Sequence, residues 1–225
     1  VTGLPEGTRH VREQLVALGA RYDRRGWVLA TSGNLSARVS VGAGVGASFI
    51  VTASGRHKGL LGLDDFVLCD VASGVVLATA GAARPSAEAA IHRAIYAHLP
   101  DAGVAVHVHT PAATLARPSH RAPVGSSALG YIVFEDLEMV KAWGFWDFGA
   151  RVALPVFENH ADVGRVADEL AAWFLAPDLP DGAVMAPAAL IRTHGVTAWG
   201  ADPESANRHL EAAEFLLQVR LAASR

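Results

Sequence analysis

The chain has 225 residues, 51% of them hydrophobic and 18% charged, enough apolar side chain to bury a substantial core with no disulfide or metal as a staple. A formal net charge of −3 and the lack of any Lys/Arg block exclude the electrostatic footprint of a nucleic-acid binder, but not small anionic ligands, because a few local cations and backbone amides hold a phosphate at any net charge. The single cysteine, Cys69, rules out an intramolecular disulfide; with no apolar run near the ~20 residues that span a bilayer and no charged-then-apolar leader pattern, a cytoplasmic protein without membrane contact is expected.

The first predicted element is an amphipathic helix from Thr8 to Arg25, where Val11, Leu15, Leu18 and Tyr22 recur at helical spacing and Gly26 offers a stop. Four short β-like segments follow, LSARVS, SFIVTA, DFVLCDV and VVLAT, separated by Gly- and Ser-rich turns whose spacing suggests antiparallel pairing. Cys69 falls in the third of them and reads as a buried small hydrophobe. Between the first two, Gly42 to Ala47 reads as a flexible hairpin tip. A second helix is predicted from Pro85-Ser86 to Leu99, with Ser86 as N-cap and Ile91, Ile95 and Leu99 on one side. Next comes the strand VAVHVHT, then PAATLA as a short helix, YIVF as a strand, EDLEMVKAW as a short helix and VALPVF as a strand. Asp162 caps a helix that ends before Pro177, ALIRTHGVTAWG forms two strand-like halves around His194-Gly195, and Asp202-Pro203 opens the last helix. No linker divides the chain. The pattern predicts one α/β domain over residues 1–225, with a central mixed, largely antiparallel sheet and helices on both faces.

Chemistry concentrates at a few places. Alternation in VAVHVHT puts Val104, Val106 and Val108 on one face and His107 and His109 side by side on the other. Neutral imidazole nitrogen is a favoured ligand for zinc and similar divalent ions, so the pair reads as half of a metal site or as two polar residues at a strand end. His194, at a strand end before a turn-permitting Gly195, is a candidate third ligand. Three imidazoles with open positions make a catalytic rather than a structural zinc site. Two carboxylates compete for proton transfer: Glu88 in RPSAEAAIH, otherwise a helix-dipole partner, and Glu138 in EDLEMVKAW, otherwise a solvated residue one turn from Lys141. Three small-residue loops suit a phosphate: TSGNLS with Asn34, TASGRHKG with Ser54, Gly55 and Lys58, and RPS with Ser86.

In their order, Ser32-Gly33-Asn34-Leu35-Ser36, Thr52-Ala53-Ser54-Gly55, Pro85-Ser86-Ala87-Glu88, His107-Val108-His109 and His194-Gly195 resemble the motifs of the class II aldolase family of sugar-phosphate enzymes. LEMVKA, PVFENHADV and RTHGVTAWG are similar to the family's branch that dehydrates a methylthio-substituted ketopentose 1-phosphate in methionine salvage. The resemblance implies one zinc ion per subunit on His107, His109 and His194, a proton-transferring Glu138, phosphate contacts from Asn34, Ser54, Gly55 and Ser86, and a homotetramer with active sites near subunit boundaries. Aldolase and epimerase relatives use the position of Glu88 instead, and adducin-type heads resemble the fold without serving as metal enzymes. Ala87 stands where aldolases commonly have a second Ser, and the stretch from Arg117 to Tyr131 is longer than expected before the LEM segment. Aromatics from Trp143 to Phe148 are expected to line an apolar tail pocket, to join the core or to meet a neighbouring subunit.

Overall fold

A computed structural model describes residues 3–42 and 46–223. Residues 43–45 of the expected hairpin tip lie outside the described residues. Eleven strands among the described residues form one sheet: β1 (Asn34–Val39), β2 (Ser48–Thr52), β3 (Phe66–Asp70), β4 (Val76–Thr79), β5 (Val104–Val108), β6 (His120–Arg121), β7 (Gly130–Phe134), β8 (Arg151–Phe157), β9 (Ala183–Met185), β10 (Ala188–Ile191) and β11 (Gly195–Gly200). Their order is β4-β3-β2-β1-β5-β11-β10-β8-β7-β6, with β9 beside β8. Only β8–β10 and β8–β9 pair in parallel, so the sheet is mixed and largely antiparallel, as the hairpin spacing predicts.

Five helices cover it: α1 (Arg9–Arg24), α2 (Ala89–His98), α3 (Pro111–Leu115), α4 (Val163–Leu175) and α5 (Pro203–Ala223). On one face Leu15, Leu18 and Tyr22 of α1 and Leu210, Leu216 and Leu217 of α5 pack with Val104, Val106 and Val108. The other face carries Ile91 and Ile95 of α2, Leu170 and Trp173 of α4, and Ala105. The alternation of β5 between two apolar layers therefore sorts its side chains as its sequence requires. Cys69 is buried, and burial pushes its thiol up to about 11.

Three expectations change. The second helix begins at Ala89, not Ser86, and Ser86 makes no helix cap. A turn closed by Ala89 N–H on Ser86 O precedes the helix, and the Ser86 hydroxyl accepts from Asn34 Nδ2 at 3.2 Å as well as from Glu88 N–H at 3.4 Å. EDLEMVKAW contributes a single 3₁₀ segment, Glu138–Trp143, ended by the left-handed Gly144. The two shortest strands, β6 and β9, have too few residues to show a period and were not anticipated.

Candidate active site

Sheet order builds the site. β5 lies between β1 and β11, and the registers Asn34↔His107 and Thr197↔His107 set three polar side chains abreast on the face that α2 covers. His107 Nδ1 lies 2.9 Å from Thr197 Oγ1. A proton on Nδ1 given to that oxygen leaves the Nε2 lone pair free for a cation, and holds the ring in place. His109 follows on the same side, and His194 enters from the turn between β10 and β11, where Thr193 has φ +59. The Nε2 atoms of His109 and His107 are 2.9 Å apart, and those of His194 and His109 are 3.0 Å apart. Tetrahedral nitrogen ligands at about 2.0–2.1 Å from zinc would stand roughly 3.3 Å from each other, so the donor set fits such an ion.

Glu88 completes the cluster. Its Oε1 is 2.9 Å from His194 Nε2, 3.7 Å from His107 Nε2 and 3.9 Å from His109 Nε2, and single ligand atoms of all four residues lie within 4.8 Å of one another. Its Oε2 accepts from Asn34 Nδ2, which also reaches Ser86 Oγ at 3.2 Å. Burial opposes ionisation of Glu88, but His107 and then His194 and His109 outweigh it and hold the carboxyl well below the usual range. Burial drives His107 down to about 3 and lowers His109 as well. Neutral imidazoles facing an ionised carboxylate are the protonation states that cation binding requires.

A buried layer lies beneath. Ser36 shares a strand face with Asn34, and His92 follows Glu88 by one helical turn. Ser36 Oγ stands 2.5 Å from His92 Nδ1 and 2.7 Å from Tyr96 OH. These polar rungs pin α2 against β1 inside an otherwise apolar layer and so fix where Glu88 points. Burial lowers His92 to about 4, against the opposing charge of Glu88. Ser32 Oγ and Asn34 Oδ1 are buried without a partner, and atoms of that kind beside a cation cluster suit a polar ligand.

Lys58 lies deeper than the loop that carries it. It is 2% exposed, and its ammonium donates to Thr31 O at 2.8 Å and Arg56 O at 2.6 Å, so it ties two glycine loops together from beneath. Ser54 and Gly55 are exposed on the second of these loops. Thr197, Ser36 and His92 were missed by sequence reasoning, although the i,i+4 spacing of Glu88 and His92 was a usable signal.

Glu138 is not brought to the histidines within the chain. The site occupies the ends of strands at Asn34, Val108, Ile191 and Gly195. Through β10–β8 and β8–β7 that end corresponds to Gly130, whereas Glu138 follows Phe134 at the opposite end, where Trp143 Nε1 donates to His209 O near the start of α5. A strand of this length separates its ends by roughly 15 Å. Glu138 is 85% exposed and pairs with Lys141 at 2.7 Å. It lines a cavity with Trp146 and Phe148, both exposed, while Trp143 is buried.

Gly195 makes the close packing possible. A Cβ there would lie 2.3 Å from Val108 O and 3.0 Å from ring carbons of both His107 and His109. Gly195→Ala is therefore expected to weaken metal binding at least tenfold and to cost about 1–3 kcal/mol of stability. Metal titration with urea unfolding checks this, and an alanine variant that binds metal like the wild type would sink it.

The chain belongs to the Class II Aldolase and Adducin N-terminal domain family, whose model matches residues 13–221. It is 39% identical over 207 residues to a methylthioribulose-1-phosphate dehydratase of Leptospira biflexa, covering 92% of this chain and 94% of that protein. It is 42% identical over 205 residues to the enzyme so named in Acidiphilium cryptum, covering 91% and 86%. The fold also matches the L-fuculose-1-phosphate aldolase structure from Thermus thermophilus, with a TM-score of 0.65, 21% identity and coverage of 95% and 94%.

Proposed function

We propose that the protein dehydrates 5-methylthioribulose 1-phosphate to 2,3-diketo-5-methylthiopentyl 1-phosphate, a zinc-dependent step of methionine salvage in the cytoplasm. The observation that carries this reading is the convergence of His107, His109, His194 and Glu88 in a chain 39% identical, over nine tenths of its length, to a protein of that name. His107, His109 and His194 hold the ion, which supplies Lewis acidity against the negative charge developing on the substrate's oxygens.

The chain's residues do the rest. Glu88, whose Oε1 lies against the histidines, takes the proton from C3. The C4 hydroxyl then leaves with a proton as water, and the resulting enol tautomerises to the diketone. Glu138 supplies that proton from a neighbouring copy, because its own chain carries it to the far end of the sheet. The exposed Trp146 and Phe148 beside it are the apolar surface that such a contact buries. A head-to-tail contact of this kind closes into a ring when its rotation is a whole fraction of a turn, and four copies are assigned on the family resemblance.

Assaying this compound beside fuculose, rhamnulose and ribulose phosphates tests the reading. Diketone is expected from the first; its absence with metal bound overturns the substrate. Because Glu88 rather than Glu138 lies against the histidines, cleavage or epimerisation of one of the other phosphates is the second reading, and the same assay reports it. The intact three-histidine set opposes a non-catalytic scaffold.

A further inference from the structure

We propose that Arg84 is the guanidinium that binds the substrate phosphate, together with the Gly55 amide. The proposal rests on the sugar-phosphate reading above and specifies the cation it uses. Arg84-Pro85-Ser86 runs antiparallel to Thr52-Ala53-Ser54: Ser54 N–H donates to Arg84 O at 2.9 Å, Ser86 N–H donates to Thr52 O at 3.3 Å, and Ala53 bridges to Pro85. In an extended segment, residues two apart share a side. Arg84, two residues before Ser86, thus lies on the same side as Ser86, whose hydroxyl meets Asn34 in the active site.

The cations around these loops can be accounted for one by one. Arg56 is held by Asp65 at 3.0 Å. The Lys58 ammonium is buried and donates to two carbonyls. The exposed Arg84 side chain has no hydrogen bond or ion pair among the described residues. It lines an open cavity of about 640 Å³ with Ser54, Gly55 and Arg56. The Gly55 amide, at φ +73, also has no acceptor within the described chain. A planar guanidinium and a free amide on one wall match a phosphate's oxygens, since paired N–H donors bind such anions bidentately.

Inorganic phosphate is the probe, titrated calorimetrically into the zinc-loaded full chain and used as a competitive inhibitor. Arg84→Gln is expected to weaken phosphate binding about ten- to hundred-fold, the loss of one charge-assisted pair, and to lower kcat/KM by a similar factor, since phosphate binding also helps to orient the reacting carbons. Arg84→Lys should recover only part of the affinity, its ammonium being a point charge. Unchanged phosphate affinity in Arg84→Gln overturns the proposal. If the wild type makes no diketone yet Arg84→Gln still weakens phosphate binding, the subsite stands and only the substrate reading falls.

Discussion

A His194→Ala variant is expected to lose stoichiometric zinc and to fall at least ~10³-fold in turnover while keeping its fold, since Lewis-acid stabilisation amounts to several kcal/mol at about 1.4 kcal/mol per decade. His194 suits this test better than His107. The His107 ring is 1% exposed and bound to Thr197, so its loss also damages the β5–β11 layer. His194 is partly exposed on a turn, and its backbone contacts survive truncation: its N–H donates to Ile191 O and its carbonyl accepts from Thr114 Oγ1. Elemental analysis with kinetics and circular dichroism provides the check. Full zinc occupancy in the variant would remove His194 from the ligand set.

Mixing two inactive variants is expected to restore activity if Glu138 works across copies. Glu88→Gln and Glu138→Gln should each lose about 10²–10⁴-fold, the usual scale of general acid–base catalysis. In oligomers co-assembled from Glu138→Gln and His194→Ala chains, the first retains the metal ligands and the second supplies an intact Glu138 to its neighbour. With random assembly in a ring, about a quarter of the sites combine both, so about a quarter of wild-type activity should return. Co-assembly of Glu88→Gln with His194→Ala should restore nothing, because both defects fall in the same site. Failure of the first mixture to recover, with mixed oligomers verified by mass, would show that Glu138 does not complete the site from a neighbour.

What was legible in the chain follows the range of each interaction. The stripe Leu15, Leu18 and Tyr22 and the alternation Val104, Val106 and Val108 against His107 and His109 are local periodicities, and both faces came out as their sequence requires. A turn does precede Gly195, but Thr193 carries its positive φ; Gly195 opens β11, where the lack of a Cβ lets the His107 and His109 rings pack close. Ser86 misled because Ser after Pro reads as a helix cap, whereas Asn34, far earlier in the chain, competes for that hydroxyl. Lys58 sits deeper than its loop neighbours suggest, because the carbonyls of Thr31 and Arg56 draw its ammonium beneath the surface.

Residue type and short-range spacing thus determined on their own that this chain carries an HxH strand, a late His-Gly turn, phosphate-suited loops and two candidate carboxylates. Which of those meet was decided only by the sheet. His194 lies 85 residues from His109, yet their Nε2 atoms are 3.0 Å apart because β11 runs antiparallel beside β5. The bridge of Pro85 to Ala53 and the seating of α2 on the sheet put Glu88 against the histidines, while the direction of β7 sends Glu138 to the other end. Strand order and polarity arise from burying two apolar faces at once, a property of the whole chain that no window of neighbouring residues contains.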